Sequence, residues 1–360
     1  MTEADFVPDR PEDLPDSGSS KWRAPSNIAL VKYWGKKKGQ IPTNPSVSFT
    51  LDNSATLTEL RFKRTDKVTG LPAFEVFLQG QPAPYFAPKI RSFFERILPY
   101  QPFIAQYHFE IHTENTFPHS SGIASSASGM AALALCLMDV EKSLFPSMDE
   151  DFFYQKASFL ARLGSGSAAR SIRGKLVHWG KQDSVPGSSD LYGIPYPLKV
   201  APLFGSFQDT ILLVDKGEKQ VSSTQGHGLM KDHPFAISRF TQARSNIDAL
   251  QPILQEGDLT SFIALVESEA LTLHAMMMTS MPYFMLMKAG TLQIIERIWE
   301  YRRSNGEPVC FTLDAGANVH LLYPKASQVS VHTFVERELL PFCQGGEHLR
   351  DRVGNGAERC

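Results

Sequence analysis

Cysteine is scarce in this chain, with four in 360 residues, and the ten histidines stand singly. None of the cysteines lies at the spacing of a metal site or a redox pair, and Cys136 and Cys310 fall in apolar runs typical of inert core thiols. The sequence contains no HExxH or similar pattern, so we predict no zinc site. The other two cysteines are Cys343 and Cys360. The scarcity of cysteine excludes a disulfide scaffold and favours a reducing, cytoplasmic compartment.

Neither sign of charge dominates, since 36 Lys and Arg stand against 38 Asp and Glu and the net charge is −2. This balance excludes the broad basic surface of a nucleic-acid-binding protein, so an anionic ligand has to be held by a local cluster of cations. The longest apolar stretch, near residues 130–138, is far too short to span a bilayer, which predicts no membrane partner.

The first 20 residues also lack the features of a secretory signal. They carry six acidic residues and three prolines, where a signal has a basic start and an apolar run. The segment 1–20 therefore predicts a disordered leader, whose removal is expected to leave activity unchanged.

The remaining chain has the composition of a globular protein, with 42% hydrophobic and 21% charged residues. Residues 22–34 predict a strand or a loop that enters the first motif. Apolar patterns predict strands over 47–51, 56–62, 74–78, 107–112, 175–179, 210–214, 309–314 and 319–323. Helical spacing predicts helices over 89–98, 126–140, 151–163, 234–254, 259–276, 291–303 and 331–340. Strands and helices mixed in both halves indicate an α+β fold, with a first lobe over 21–199, a second over 200–345 and a flexible tail over 346–360.

Two stretches of small residues are the most informative motifs. One reads PHSSGIASSASGM over 118–130 and the other GSGSAAR over 164–170. Glycine lets a backbone approach a ligand closely, serine adds hydroxyl donors, and the N-terminus of a following helix favours an anion. A flexible linker is the alternative for the first stretch, but an apolar helix follows it at once. Two such stretches with basic residues nearby predict a site that holds two phosphorylated molecules.

Three charged residues in or beside apolar segments are candidates for chemistry. Lys32 lies inside an apolar strand, where it needs a partner; a structural ion pair explains it as well as a catalytic role does. Asp314 ends an apolar strand before a glycine turn, which fixes a carboxylate and exposes it, although turn-forming aspartates are common. Arg170 ends the second small-residue stretch and suits bidentate recognition of a carboxylate or phosphate, with a solvated basic face as the alternative.

Four motifs in this order resemble the diphosphomevalonate decarboxylases of the GHMP small-molecule kinase superfamily. They are NIALVKYWG at 27–35, GIASSASG at 122–129, GSGSAAR at 164–170 and DAGAN at 314–318. The resemblance implies an α+β GHMP kinase fold, with a first lobe like ribosomal protein S5 domain 2 and a ferredoxin-like second lobe. It also implies a homodimeric enzyme that uses ATP and Mg²⁺ to phosphorylate the 3-hydroxyl of mevalonate 5-diphosphate. Loss of that phosphate and of carbon dioxide would then give isopentenyl diphosphate and ADP.

The resemblance further implies roles for individual residues. Asp314 would accept or orient the hydroxyl proton, and Lys32 would neutralise developing charge and hold Asp314. Ser126 would orient the ATP γ-phosphate, and Arg170 would grip the C1 carboxylate. Asn27 would organise the region around the lysine–aspartate pair. The residues implied for the 5-diphosphate are Tyr33, Lys36, Ser165, Gly166 and Ser167, with Arg170 also binding the substrate. Those implied for the ATP phosphates are Pro118, Ser120, Ser121, Gly122, Ala124, Ser125, Ser126 and Ser128; the Mg²⁺ ligands stay open.

Two departures from the family pattern and two alternatives remain at this point. Pro45 leaves open which side chain near Ser46 contacts the substrate. The HSS at 119–121 leaves open whether and how His119 contacts ATP. A plain GHMP kinase commonly carries its catalytic aspartate in the segment that here reads GSGSAARS, whereas this chain offers Asp314. A decarboxylase of the 5-monophosphate or a mevalonate 3-kinase is harder to exclude than a plain kinase. A non-catalytic metabolite-binding regulator is a more distant one.

Overall fold

The computed structural model describes residues 1–66, 70–117, 125–217 and 223–360. Its strands are β1 Ser17–Val31, β2 Ser46–Arg64, β3 Ala73–Leu78, β4 Gln81–Pro82, β5 Tyr107–Asn115, β6 Leu176–Trp179, β7 Gly193–Pro195, β8 Gln208–Leu212, β9 Cys310–Leu313, β10 Val319–Tyr323, β11 His348–Arg352 and β12 Glu358–Arg359.

The α-helices are α1 Ala87–Ile97, α2 Ser125–Leu144, α3 Glu150–Gly164, α4 Ser223–Gly228, α5 Ala236–Glu256, α6 Leu259–Met278, α7 Ala289–Asn305 and α8 Gln328–Phe334. The helix predicted over 331–340 is split, because α8 continues as a π-helical turn, Val335–Leu339. Across the described segments, we find no helix with the length and apolar character that a membrane crossing requires.

The first lobe is built on a sheet of eight strands. Its order is β12-β1-β2-β5-β3-β4, and β6 and β7 extend it from β2. The pairs are antiparallel except for β3 and β5, which run parallel and are connected through α1. Helix α2 packs on β1, β2 and α3, and it is buried on nearly every face. Its N-terminus is therefore held rigidly beside the sheet.

The second lobe contains a four-stranded antiparallel sheet in the order β11-β8-β10-β9. The chain runs from β8 through helices to β9 and β10, then through α8 to β11. This β-α-β-β-α-β order with the first and third strands at the centre is the ferredoxin-like arrangement, as expected. Apolar residues of both lobes, including Ile28, Phe49, Phe207 and Phe262, form one shared core between them.

The strands predicted over 47–51 and 56–62 form a single strand, β2, so the predicted break is wrong. The polar residues between them stay extended because a distant carboxylate binds their backbone. Asp351 accepts hydrogen bonds from the N–H groups of Asp52, Asn53 and Ser54 at 2.9, 2.8 and 2.7 Å. These donors are thus satisfied without a turn.

The prediction of a disordered leader over 1–20 is also wrong. Phe6 is fully buried, stacks on Phe159 at 4.3 Å and meets the edge of Tyr192 at 6.0 Å. Glu3 accepts a hydrogen bond from the Tyr100 hydroxyl at 3.0 Å, and β1 already begins at Ser17. One aromatic side chain anchors an otherwise polar segment, and this feature is invisible to composition.

The tail predicted as flexible over 346–360 is likewise ordered. Strand β11 pairs with β8 in the second lobe, and β12 pairs with β1 in the first. Between them, Val353 bridges to Leu51 and Gly356 to Arg173. The segment therefore ties the two lobes together.

Candidate active site

A lysine and an aspartate, each directly after a buried strand, form the centre of the site. Lys32 follows β1 and Asp314 follows β9, and Lys32 Nζ lies 3.1 Å from Asp314 Oδ1. The lysine side chain is 2% exposed and the aspartate side chain 31%, so the carboxylate alone can be reached from outside. Burial lowers the pKa of Lys32, and the attraction of Asp314 opposes that effect.

A buried network holds the backbone of Lys32. Its N–H donates to Glu269 Oε2 at 2.8 Å, and its carbonyl accepts from Asn44 Nδ2 at 2.9 Å and from Arg239 at 3.2 Å. Glu269 and Arg239 form a fully buried ion pair at 2.5 Å. The position of the ammonium group is therefore fixed by the second lobe as well as by β1.

The backbone of Asp314 is held in a similar way by a histidine. His274 Nε2 donates to the Asp314 carbonyl at 3.1 Å. Burial lowers the pKa of His274 to about 4, so its ring is neutral at physiological pH. The methionine-rich stretch 274–287 packs in the core only in part, because Met276 and Met277 are buried whereas Met281 is 78% exposed.

Arg170 ends the 3-10 helix Gly166–Arg170 and is 3% exposed. Its Nε donates to Ser48 Oγ at 2.6 Å and its Nη1 to Ser46 Oγ at 2.7 Å, and it lies 5.7 Å from the centre of the Trp179 ring. No carboxylate within the described ranges forms an ion pair with it. Burial lowers the pKa of Arg170 to about 10 and the attraction of Asp314 opposes this, so the group stays charged at neutral pH. A buried cation with hydroxyl partners strongly favours an incoming anion.

The two small-residue stretches meet at a row of serines. Ser126, in the first turn of α2, places its Oγ 3.3 Å from Ser165 Oγ, which lies 3.5 Å from Ser167 Oγ. Ser125 is half-buried beside them. Ser128 points elsewhere, because it is fully buried and its Oγ lies 2.7 Å from Thr56 Oγ1 of β2. Its predicted contact with ATP phosphates is therefore corrected to a contact between helix and sheet.

Asn27 contacts the short segment around Arg170. Its Nδ2 donates to Ser171 Oγ at 2.8 Å and to the Ser167 carbonyl at 3.2 Å. The side chain thus braces the segment that carries Arg170, and its organising role around the lysine–aspartate pair stays a prediction.

Tyr33 and Gly166 lie in contact beside the serine row. The Tyr33 hydroxyl is buried and has no hydrogen-bond partner in the part of the chain that the structure describes. A Cβ atom at Gly166 would lie 2.8 Å from that hydroxyl, so the close approach requires glycine. Burial raises the pKa of Tyr33, which keeps the phenol protonated as a donor. Lys36 is half-buried nearby, and burial followed by the charge of Arg96 lowers its pKa.

The positions 118, 120, 121, 122 and 124, predicted to bind ATP phosphates, lie outside the described residues. A cavity lies beside the first turn of α2. Its exposed wall is mostly apolar, through residues such as Val76, Ile90, Ile111 and Met130, and polar side chains including Lys89, Asn115 and Ser126 also line it. An apolar cavity next to a helix N-terminus can hold a flat ring with a charged tail.

Several residues of the site were missed by sequence reasoning. Glu269 is one of two glutamates in the otherwise apolar helix α6, which was an available signal, whereas Arg239 stands among other charged residues of α5 and gave none. Ser48 gave no signal, because a serine in a strand is ordinary. His227, which contacts Tyr33, stands in a short segment whose position the sequence does not reveal.

The fold and these groups define a GHMP-type enzyme: two α+β lobes, a helix N-terminus beside small residues, and a lysine–aspartate pair near an arginine. Residues 24–191 match the family model for the diphosphomevalonate decarboxylase-like N-terminal domain, and residues 210–354 match that for the mevalonate 5-diphosphate decarboxylase C-terminal domain. The chain belongs to the diphosphomevalonate decarboxylase family.

Relatives and solved structures agree with this assignment. The chain is 28% identical to diphosphomevalonate decarboxylase mvd1 of Aspergillus fumigatus over 340 residues, covering 89% of this chain and 81% of that protein. It is 28% identical to the Saccharomyces cerevisiae enzyme, covering 87% and 79%. The mevalonate diphosphate decarboxylase structure from Staphylococcus aureus superposes with a TM-score of 0.80 at 27% identity, covering 96% of this chain and 98% of that one. The expected GHMP kinase fold is thereby confirmed.

A further solved structure contains ligands. It is described as MDDEF in complex with MVAPP, AMPPCP and magnesium, and it superposes with a TM-score of 0.81 at 27% identity over 96% of this chain and 99% of that one.

Proposed function

We propose that this chain catalyses the ATP-dependent decarboxylation of mevalonate 5-diphosphate to isopentenyl diphosphate, ADP, phosphate and carbon dioxide. The observation that carries the proposal is the placement of Arg170, a buried cation without a carboxylate partner among the described residues, within electrostatic range of Lys32 and Asp314. A kinase site needs the lysine–aspartate pair. A decarboxylase also needs a cation for the carboxylate that is lost, and Arg170 supplies it.

In the first step the substrate 3-hydroxyl attacks the γ-phosphorus of ATP. Asp314 Oδ is the exposed end of the pair and takes or orients the hydroxyl proton, while the Lys32 ammonium keeps that carboxylate in place and neutralises developing charge. Phosphoryl transfer depends mainly on positioning and charge neutralisation, and the network around Glu269 supplies the positioning.

In the second step the 3-phosphate leaves and the C1–C2 bond breaks. The electron pair of that bond forms the double bond between C2 and C3, and the C3–O pair departs with phosphate, so carbon dioxide is released. Arg170 orients the carboxylate until it leaves, with Ser46 and Ser48 fixing the guanidinium plane. Asn27 braces the turn beneath it.

For the nucleotide, we place the adenosine end in the apolar cavity beside α2 and the phosphates at Ser125 and Ser126. The residues described contain no cluster of three His, Cys, Asp or Glu side chains suited to a metal. The Ser126 hydroxyl is a protein oxygen near the proposed phosphates. It would suit Mg²⁺, which takes most of its ligands from phosphates and water. When bound, Mg²⁺ neutralises charge on the transferred phosphate.

For the 5-diphosphate, the donors are Ser165, Ser167, the Tyr33 hydroxyl and Lys36. The orphan Tyr33 hydroxyl supports this placement, because a buried donor without a partner is costly until a ligand accepts from it.

We further propose a cytoplasmic homodimer. All four cysteines are free thiols, which supports a reducing compartment. Ile237, Met281 and Tyr283 on the second lobe are 82%, 78% and 72% exposed, and such apolar groups favour contact with another protein. Light scattering during gel filtration should give twice the chain mass of 40.1 kDa; the mass of one chain would contradict the dimer.

The reaction is tested by incubating the purified protein with ATP, Mg²⁺ and mevalonate 5-diphosphate, with the 5-monophosphate in parallel, and following products by mass spectrometry. Isopentenyl diphosphate from the diphosphate alone supports the proposal. Isopentenyl phosphate from the monophosphate would assign the sister decarboxylase. A 3-phosphorylated product without carbon dioxide would assign a kinase.

A further inference from the structure

A buried histidine of the second lobe lies against the turn that follows β1. His227, on α4, is 9% exposed, and its ring centre lies 4.3 Å from that of Tyr33 and 4.6 Å from that of Trp34. Its Nδ1 accepts a hydrogen bond from the Gly35 N–H at 2.9 Å. One side chain thus contacts three consecutive residues of the other lobe.

Two glycines make this contact possible. A Cβ at Gly226 would lie 2.5 Å from the Trp34 ring, so the residue before His227 has to be glycine for α4 to come this close. Gly35 has a φ of 97°, which an L side chain rarely adopts, and its Cβ would meet Thr43 Oγ1 at 2.5 Å. The backbone on both sides is therefore suited to an inserted imidazole.

The hydrogen bond also sets the state of the ring. Because Nδ1 accepts, the ring proton is on Nε2. Burial, reinforced by the charges of Lys36 and Arg170, lowers the pKa of His227 to about 3. The ring is neutral at physiological pH, so it can hold the turn without adding a third positive charge to the pocket.

We propose that His227 is a positioning residue for substrate binding: through Gly35, Tyr33 and Trp34 it fixes, from the second lobe, the segment that presents the Tyr33 hydroxyl and Lys36 to the 5-diphosphate. Lys36 is the residue directly after Gly35, and the Tyr33 hydroxyl, unpartnered among the described residues, lies against Gly166. This inference rests on the proposed function, because it assigns the 5-diphosphate to these donors.

Three substitutions test it: His227→Ala removes the ring and the acceptor, His227→Phe keeps a ring without the acceptor, and His227→Asn supplies a carbonyl oxygen that can accept from Gly35 N–H. His332→Ala, also in the second lobe and away from these residues, is the control. For His227→Ala we expect the KM for mevalonate 5-diphosphate to rise about tenfold, since a hydrogen bond and a ring contact together are worth about 1.4 kcal/mol. The KM for ATP should change less than about twofold, and His227→Asn should recover part of the loss.

Calorimetric titration of the same variants with mevalonate 5-diphosphate provides a readout independent of turnover. An affinity loss that follows the KM supports the proposal, and it does so even if the wild-type protein fails to form isopentenyl diphosphate, an outcome that would overturn the proposed reaction alone. Unchanged KM and affinity in His227→Ala, or in His227→Phe if the alanine variant does not fold, would overturn the role of His227. Failure of the wild-type chain to bind the diphosphate would overturn both.

Discussion

Two buried cations, Lys32 and Arg170, lie within electrostatic range of one accessible carboxylate, Asp314. The three groups have one excess positive charge when they are alone, and the phosphates and carboxylate of the proposed ligands compensate it. Each residue has a distinct partner set, with the Glu269 network at Lys32 and two serine hydroxyls at Arg170. Single substitutions should therefore separate their contributions.

Asp314→Asn removes the proton acceptor and keeps the shape of the side chain. We expect kcat to fall by about 10²–10⁴-fold, because general-base catalysis contributes that much, while folding and ATP binding persist. Steady-state kinetics and fluorescence titration with a nucleotide analogue measure both. Asp232→Asn, at an exposed position, is the matched control. Normal turnover of Asp314→Asn would remove this residue from the mechanism.

Arg170→Ala removes the partner proposed for the substrate carboxylate. A hydrogen-bonded charge contributes about 1.5–3 kcal/mol, so kcat/KM should fall by about 10- to 150-fold, with both KM and kcat affected. Arg170→Lys should recover little, since one ammonium group cannot engage Ser46 and Ser48 in the bidentate manner seen here. Unchanged kinetics of the alanine variant would refute the assignment.

The rate should fall at alkaline pH, because Lys32 has to be protonated to neutralise charge. Burial places its pKa below the ordinary 10.5, so the midpoint of the fall in kcat/KM is expected below pH 10.5. Arg170, with a pKa of about 10, adds to the fall only near that pH. In Lys32→Arg the guanidinium retains its proton to higher pH, so the pH midpoint of the fall in kcat/KM should rise. The variant should also be slower than the wild-type enzyme. A midpoint that stays in place would assign the titration to another group.

At the scale of elements, the N-terminal segment is a docked arm. Phe6 fills a site between Phe159 and Tyr192. Glu3 of the arm lies 3.6 Å from the fully buried Arg162, which donates to the carbonyls of Gly39 and Leu191. Gly39 belongs to the turn after Lys36. The arm therefore covers Arg162, the residue of α3 that binds this turn. Removal of residues 1–20, which also removes part of β1, should therefore have a measurable effect on the protein.

Phe6→Ala is the sharper test of the arm. Truncation of a buried phenylalanine costs about 3–5 kcal/mol, and urea denaturation followed by circular dichroism should show a loss of that order in the free energy of unfolding. Val7→Ala, one residue along and 52% exposed, should change it by less than about 0.5 kcal/mol. Equal stability of the two variants would show that the arm does not contribute to folding.

At the scale of the whole molecule, the last 15 residues join the lobes through paired strands and through Asp351. This buried carboxylate satisfies three backbone N–H groups of β2. Because the site is assembled from both lobes, with Lys32 on one side and Asp314 on the other, anything that loosens this connection should affect stability and catalysis together.

Asp351→Ala leaves three N–H groups of β2 without their acceptor. Of the three, the Ser54 N–H is buried, and an unsatisfied buried donor costs about 1–3 kcal/mol, so the free energy of unfolding should fall by about that amount. Thermal and urea denaturation measure it, with the exposed Asp13→Ala as control. An Asp351→Ala protein as stable as wild type would show that water replaces the carboxylate at this part of β2.

The sequence by itself determined the local features of this protein. Its apolar periodicity located most strands and helices, and its motifs predicted the family, the proposed reaction and the Lys32–Asp314 pair. Such signals are short in range, because they reflect the conformational preferences of neighbouring residues and motifs of fewer than ten residues. These signals can therefore be recognised in a single sequence.

Only the tertiary structure decided the contacts between residues far apart in the chain. Asp351 keeps β2 continuous from nearly 300 positions away, and His227 enters a turn made by residues 33–35. Ser128 faces the sheet because α2 is buried on nearly every side, and Phe6 orders a polar arm because an aromatic site awaits it. The free energy of these contacts depends on geometry created by the whole fold, and no local pattern of residues encodes that geometry.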